Sequence, residues 1–286
     1  MKKGSMLRLF SMFILHIHRF IKRKAIVGLI SIMMICIFSS TLAHATYTVI
    51  SEVPAYNWYH GCGPTAAASI LGYWDLHGYD NLFTASGSDV YLTTNVQEQI
   101  SSSAHNAKYD PYPDKSSLPV PPMTSIADWF QTSVGSLKYG YSYVDKAPIA
   151  FTGYAEYRGY TFQSYYEPLG ASQFTWNDLT SEIDAGRPMM FAVDSSGDGY
   201  TDHFVPVLGY DDRGLDGLWY GFFSTWSEAE TINWMPFREE NSSYAWGVGY
   251  GVFIEPISMP TPIPAAVWLF GTGLLGLFGI RRKMRR

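Results

Sequence analysis

Cysteine is scarce in this chain of 286 residues: the two present are Cys36 and Cys62. Cys36 lies in an apolar run near the N-terminus that we expect to be removed on export, which would leave Cys62 as the single thiol of the mature protein. A single thiol cannot form an internal disulfide, even in an oxidising compartment. The sequence therefore excludes a fold that is held together by internal disulfides.

Positive charge is also scarce in the body of the chain. Between residues 46 and 260 there are eight Lys and Arg side chains against all 25 of the acidic ones, a net charge of −17. Affinity for nucleic acids depends on Lys and Arg that neutralise phosphates, so this balance excludes nucleic acid as a partner. Disorder is excluded as well, because 47% of the chain is hydrophobic and 16% is aromatic, which is enough to bury a core.

The N-terminal 45 residues predict a secretory signal peptide. They carry seven basic side chains and no acidic one, and the basic residues 22–24 directly precede an apolar run over residues 25–38. This run is too short for a permanent membrane span. Ala43 and Ala45 are the small residues at −3 and −1 of a cleavage site, so we expect cleavage after Ala45.

Residues 259–286 predict a second sorting signal. A proline-rich lead over residues 259–264 precedes an apolar segment over residues 265–280 and a basic tail. As a helix the apolar segment would reach about 24 Å, slightly less than the hydrocarbon core of a bilayer. A plain C-terminal anchor is the alternative interpretation.

The lead, the run from Ala265 to Ile280 and the arginine cluster together resemble PEP-CTERM protein-sorting signals. That resemblance implies an exported protein of a bacterium that makes exopolysaccharide, and an exosortase as the processing partner. It also implies transient membrane anchoring, followed by release from the cell or attachment to its surface.

Between these ends the pattern predicts an α+β domain over residues 46–258. A helix is expected over residues 64–76, another from the capping box of Ser125 and Asp128, and a third from the cap at Thr175. Residues 101–123 read as a surface loop. Strands are expected within residues 139–166, where aromatic and polar residues alternate and Gly153 and Gly159 are turn or bulge points. Further strands are expected over residues 189–193, 204–210, 218–223 and 250–254.

Cys62 is a candidate nucleophile. It lies between Gly61 and Gly63 at the start of the first predicted helix. The positive end of the helix dipole lowers the pKa of a thiol and favours the thiolate, and the glycines leave room for a substrate carbonyl. The alternative is a buried structural cysteine.

His203 is the candidate base, because it stands at the start of an apolar strand, a rigid platform for an imidazole. Four other histidines suit the role less well. They lie in the signal peptide, on the loop before the helix, at the far end of the helix and in the polar loop (His44, His60, His77 and His105). A strand-end histidine is more often structural, but a lone cysteine at a helix start favours a catalytic pair.

Three blocks of the chain resemble papain-like cysteine peptidases, and among them the branch related to bacteriocin-processing (double-glycine leader) peptidases. The blocks are residues 58–65, the step at residues 186–188, and Asp202-His203 followed by Gly209-Tyr210. The resemblance implies a helix bearing Cys62 packed on an antiparallel sheet bearing His203. It implies Cys62 as the nucleophile, His203 as base and then acid, a peptide or protein substrate, and no required cofactor.

Two positions depart from that family pattern. Ser224 stands where an Asn or Asp usually orients the histidine, with Asp216 as an alternative in the preceding turn. Tyr56 stands where a Gln usually completes the oxyanion hole; Asn57 is the nearest amide, and the N–H of Cys62 could also donate. The rival hypothesis is therefore a non-catalytic surface or matrix protein that retains a peptidase-like fold.

Two further patterns admit two interpretations each. Asp194, Ser196, Asp198 and Asp202 have the spacing of the oxygen ligands in a calcium-binding loop. Val205, however, stands where the bidentate Glu of such a loop belongs, so a polar turn is the stronger interpretation. If calcium did bind, it would order the loop that carries His203. Five tyrosines could stack on sugars or simply pack: Tyr154, Tyr157, Tyr160, Tyr165 and Tyr166.

Overall fold

A computed structural model describes residues 46–109, 115–170 and 172–257. The helices are α1 (Cys62–Leu76), α2 (Thr93–Ile100), α3 (Ser103–Tyr109), α4 (Ile126–Phe130), α5 (Ala147–Tyr157) and α6 (Trp176–Asp184). The strands are β1 (Thr46–Val49), β2 (Phe162–Pro168), β3 (Met189–Asp194), β4 (His203–Asp212), β5 (Leu218–Phe222), β6 (Asn233–Pro236) and β7 (Gly247–Pro256). The predicted signal peptide (1–45), sorting signal (259–286) and apolar segment (265–280) lie outside the described residues.

All seven strands form one antiparallel sheet in the order β2-β7-β3-β4-β5-β6, and β1 pairs with the second half of β4. In the first half of β4, His203 pairs with Val193 of β3. The predicted α+β class is confirmed. The strands expected over residues 189–193, 204–210, 218–223 and 250–254 correspond to β3, β4, β5 and β7.

Helix α1 is buried on nearly all sides, since every residue from Gly63 to Asp75 is buried. Small side chains at residues 66–69 let this helix lie close to its neighbours, and it packs on β4 with α4 and α5 beside it. The helix starts two residues earlier than predicted, because Gly61 adopts a φ of 152° as its N-cap. Cys62 is thus the first helical residue.

The predicted capping box at Ser125 and the predicted cap at Thr175 are both confirmed. Ser125 and Asp128 cap α4, and Thr175 and Asp178 cap α6, each pair joining the cap residue to the third residue of the helix. These caps satisfy backbone N–H groups that a helix start leaves without intrahelical partners.

The strand prediction for residues 139–166 is wrong over most of its length. Residues 147–157 form α5 instead, with Pro148 in its first turn, and a short 3-10 helix, Val144–Lys146, precedes it. Strand β2 alone corresponds to the prediction. Gly153, expected at a turn, lies inside α5, where a Cβ atom would come within 2.3 Å of the Trp129 ring. Gly153 is therefore required for close packing against the Trp129 indole, and the sequence alone does not distinguish such a glycine from one in a turn.

The loop prediction for residues 101–123 also needs correction, because α3 occupies its first part. His105 lies in α3 rather than in a polar loop, and its ring is buried. Its Nδ1 lies 2.8 Å from Asp128 Oδ1 and its Nε2 lies 2.9 Å from the carbonyl oxygen of Thr132. These contacts tie α3 to α4 and to the turn that follows it, which makes His105 a structural residue.

No helix within the described ranges is long and apolar enough to cross a membrane.

Candidate active site

Cys62 and His203 line one cavity of about 430 Å³. The cavity opens between the start of α1, the start of β4 and the segment of residues 137–144. Aromatic rings dominate its lining, which includes Trp58, Tyr139, Tyr141, Tyr143 and Tyr250. The structure thus brings together the two residues that the sequence singled out from opposite halves of the chain.

Cys62 meets several N–H groups at the helix start. The N–H groups of Phe204, Gly63 and Cys62 itself face the sulfur, and each of them favours the thiolate. Although Cys62 keeps partial contact with solvent, protein atoms surround the thiol densely, and this burial outweighs the N–H groups and raises the pKa of the Cys62 thiol to about 11. The lowered pKa expected from the helix dipole is therefore wrong for this arrangement, because desolvation penalises the charged form more than the first turn stabilises it.

The ring of His203 is held by the main chain of Ser224. Its Nε2 lies 2.9 Å from the Ser224 carbonyl oxygen. Because a carbonyl oxygen only accepts hydrogen bonds, Nε2 carries the proton of the neutral ring and Nδ1 is left as the basic nitrogen. Burial lowers the pKa of His203, an effect that the Ser224 carbonyl and the charge of Asp202 partly offset. The resting imidazole is therefore neutral at pH 7.

Trp226 covers the ring of His203. The two rings stack with centroids 4.6 Å apart and planes at 29°, and Trp246 meets both rings at their edges. Thr225 and Trp246 have φ angles of 61° and 65°. Non-glycine residues seldom adopt this left-handed conformation, which concentrates at functional sites.

The side chains that the sequence offered as orienting groups lie elsewhere. The hydroxyl of Ser224 accepts the N–H of Trp226 at 3.3 Å, so the acceptor for His203 is the main-chain oxygen of the same residue. Asp216 lies in the turn Gly214–Asp216 at the far end of the β4–β5 hairpin, where its carbonyl accepts the indole N–H of Trp219. Neither Asp216 nor any other carboxylate contacts the His203 ring in the part of the chain that the structure describes.

Asn57 lies beside the site, on its outer side. Its backbone forms an isolated bridge with Trp226, its N–H donates to Thr93 Oγ1, and its side chain is exposed. Asn57 is not among the residues that line the cavity. Tyr56 is buried and donates its hydroxyl to the carbonyl of Val90, so it faces the core.

The segment of residues 137–144 forms a wall of the cavity that the sequence did not reveal. The Tyr139 hydroxyl lies 2.7 Å from His60 Nδ1, which ties this wall to the loop before α1. A Cβ atom at Gly140 would lie 2.8 Å from the Trp58 ring. The paired glycines Gly61 and Gly140 allow this close approach, and no regular pattern in the sequence connects them.

The loop between β3 and β4 is closed by hydrogen bonds. Asp194 Oδ1 accepts the N–H groups of Gly197 and Asp198, and its Oδ2 accepts that of Gly199. These N–H groups lower the pKa of Asp194 although burial acts in the opposite direction. Ser196 donates to Asp194, and Asp202 accepts from Ser195. Hydrogen bonds thus hold the polar turn, and among the described residues no group of three or more His, Cys, Asp or Glu is placed to hold a metal ion. Calcium binding stays a prediction.

The five tyrosines differ in exposure. Tyr154 is fully buried and donates to the carbonyl of Leu82, so it cannot meet a sugar. Tyr157, Tyr165 and Tyr166 are exposed, although Tyr165 stacks on Phe253 at 4.5 Å. Tyr160 is part of a contact with Tyr79. The packing interpretation holds for Tyr154 and Tyr160.

A known protein family matches most of the domain described above. No curated protein matches the chain. Residues 50–231, more than half of the chain, match the Peptidase_C39 like family, and this range contains Cys62, His203 and Ser224. The mixed architecture with a cysteine at the start of its buried helix agrees with a papain-like fold. The chain therefore belongs to the Peptidase_C39 like family of the papain-like cysteine peptidases.

Proposed function

We propose that the protein is an exported, thiol-dependent peptidase that hydrolyses amide bonds with Cys62 and His203. The observation that carries the proposal is the arrangement of the imidazole. Nε2 of His203 donates to the Ser224 carbonyl, and the basic Nδ1 belongs to a ring that shares the cavity with the thiol. This arrangement provides a base and a nucleophile without an Asn or Asp side chain.

The reaction follows from these two groups. His203 Nδ1 takes the thiol proton while the sulfur of Cys62 attacks the carbonyl carbon of the scissile bond. The tetrahedral intermediate collapses when His203 returns the proton to the amine that leaves, and a thioester remains on Cys62. Water, deprotonated by His203, then attacks the thioester, releases the carboxylate product and restores the thiol. An amine in place of water would give acyl transfer with the same pair.

The oxyanion of the intermediate would be stabilised by the start of α1. The N–H groups of Cys62 and Gly63 already face the sulfur, and donors at a helix start favour a negative charge. The exposed side chain of Asn57 would add a donor only if it moved towards the cavity. We therefore assign the main chain as the principal oxyanion donor.

The resting pair is neutral, since burial raises the pKa of Cys62 and lowers that of His203. Proton transfer would then accompany attack on the substrate instead of preceding it. Such a pair reacts slowly with general alkylating agents and faster with an electrophile that occupies the cavity.

The alternative function is a non-catalytic surface or matrix protein. The observation that favours it is the raised pKa of Cys62, which is typical of a buried structural thiol. Export, exosortase processing and an exopolysaccharide or biofilm setting belong to both functions. They are supported by the composition of residues 1–45 and 259–286.

Trapping of the acyl-enzyme tests the peptidase. The purified full chain is mixed with activated peptide esters, quenched in acid and digested, and the mass of the peptide that contains Cys62 is measured. Acylation of Cys62 that is lost in Cys62→Ala and reduced at least about 100-fold in His203→Ala supports the proposal. Absence of acylation, or acylation that His203→Ala leaves unchanged, assigns the protein to the non-catalytic class.

A further inference from the structure

Asp202 is the single acidic side chain that lines the cavity within the described parts of the chain, and no Lys or Arg lines it. Its Oδ1 accepts the N–H of Ser195 at 2.7 Å, which fixes the carboxylate. A carboxylate offers about four acceptor sites, so this bond leaves most of its capacity for a ligand.

The rest of the lining suits a cation as well. Trp58, Tyr139 and Tyr141 contribute rings to the wall, and the face of an aromatic ring attracts ammonium and guanidinium groups. Tyr141 already does so, since Lys138 Nζ lies 5.8 Å from its ring centroid. Lys138 itself is not among the lining residues.

The charge of the whole domain acts in the same direction. Residues 46–260 carry a net charge of −17, and a field of one sign raises the local concentration of oppositely charged ligands and increases their association rate. The overall charge and the local lining are independent observations, and both select a cation.

We propose that this cavity binds a Lys or Arg side chain next to the scissile bond of the peptide substrate, with Asp202 as its counter-ion. The inference rests on the proposed peptidase function and names the substrate class of the same site. Since His203 directly follows Asp202, the bound cation would lie close to the reacting bond.

A bound cation would also change the charge that acts on the catalytic pair. The charge of Asp202 raises the pKa of both Cys62 and His203, so a substrate cation that neutralises Asp202 would lower both values. The two changes act in opposite directions on proton transfer from the thiol to the imidazole, so the role assigned to the cation is binding.

Charged thiol reagents test the cavity without any need for peptidase activity. The full chain is treated with trimethylammonioethyl methanethiosulfonate or with sulfonatoethyl methanethiosulfonate. Modification of Cys62 is measured by peptide mapping, because the full chain also contains Cys36. The ratio of the two rates is divided by the same ratio for 2-mercaptoethanol. We expect a normalised preference for the cationic reagent of about 10-fold or more at low salt, which falls as salt screens the field.

The variants are Asp202→Asn and the matched control Asp212→Asn. Each amide retains Oδ1 as an acceptor for a backbone N–H, from Ser195 and Gly214 respectively, and each removes one charge. Asp212 lies at the other end of β4, about 30 Å along the strand from His203. We expect Asp202→Asn to lower the preference at least about fivefold and Asp212→Asn to leave it within about 1.5-fold, as screening over that distance requires. A preference near one, or one that Asp202→Asn does not change, overturns the inference.

Peptides separate this inference from the proposed function. An alanine-based library that carries one Lys, norleucine or Glu per peptide is incubated with the full chain, and products are identified by mass spectrometry. Cleavage next to Lys alone, lost in Asp202→Asn, supports both. Equal cleavage of all three sets overturns the cation preference and leaves the peptidase standing. Charge-selective modification of Cys62 without cleavage of any peptide overturns the peptidase and leaves a cation-binding cavity.

Discussion

His203 and Ser224 are joined by a hydrogen bond from Nε2 to a main-chain oxygen over 2.9 Å. A carbonyl is a neutral acceptor, so it fixes the tautomer of the ring but stabilises an imidazolium less than a carboxylate would. Burial outweighs this bond, so the pKa of His203 is lowered although the Ser224 carbonyl raises it. The main-chain acceptor also explains how a serine can stand where an amide or acid side chain was expected.

Ser224→Ala should leave activity within about threefold of the wild type, because the alanine retains the carbonyl that holds His203. The lost hydroxyl accepts only the Trp226 N–H, a bond worth about 1 kcal/mol. Steady-state kcat and KM on a cleaved peptide check this, with His203→Ala as the inactive control. A loss of about 10³-fold or more would instead assign the orienting role to the side chain.

Trp226→Ala should lower kcat about tenfold, because water would then compete for the bond between His203 and the Ser224 carbonyl. Trp226→Phe keeps a stacked ring and should retain most of the activity. Since 55% of Trp226 is exposed, thermal unfolding should shift little in either variant. Equal kcat values for the Ala and Phe variants would contradict a shielding role.

Alkylation of Cys62 by iodoacetamide should rise about tenfold per pH unit from pH 7 to pH 10 without a plateau. The reason is that only the thiolate reacts and that burial raises the pKa of the folded thiol to about 11. The same residue in chain unfolded by guanidinium should level off near pH 9. A plateau below pH 8 in the folded protein would show a preformed ion pair with His203.

Asp75 should make stability depend on pH between about 4 and 6. Burial raises the pKa of this carboxyl to about 6, so the folded state holds its proton to higher pH than the unfolded state. Its contribution is therefore present below about pH 4 and lost as pH rises through 6.

Chemical unfolding of Asp75→Asn at pH 4 and pH 8 measures that contribution. Asn does not titrate. Between pH 4 and pH 8 the wild type should therefore lose about 1–3 kcal/mol more unfolding free energy than Asp75→Asn loses. The exposed Asp89→Asn serves as control and should follow the wild type. Parallel profiles for Asp75→Asn and the wild type would contradict the raised pKa.

Gly153→Ala should destabilise the protein by about 1–3 kcal/mol, although Ala is the better helix former. The added methyl group would lie 2.3–2.8 Å from three atoms of the Trp129 ring. Trp129→Phe removes the larger ring. In that background Gly153→Ala should therefore cost less unfolding free energy than it costs in the wild type. Additive effects of the two changes would rule out the contact as the cause.

Much of the site was predictable because its signals are local. Cys62 stands at a helix start and His203 at a strand start. The caps of α4 and α6 could be predicted from residue spacing alone. Helix α5 was misread because its aromatic residues, Phe151, Tyr154 and Tyr157, favour strands by propensity, whereas burial against α4 and β2 decides its conformation.

The sequence by itself determined the α+β class, the candidate pair, the acidic character of the domain and the family to which the site residues point. Tertiary structure alone decided the pKa of Cys62, the main-chain acceptor of His203 and the aromatic wall around the cavity. The physical reason is that desolvation and hydrogen bonding depend on atoms far apart in the chain. Ser224 and residues 137–144 meet the cysteine and the histidine only once helix and sheet are packed, and no periodicity in the sequence records that meeting.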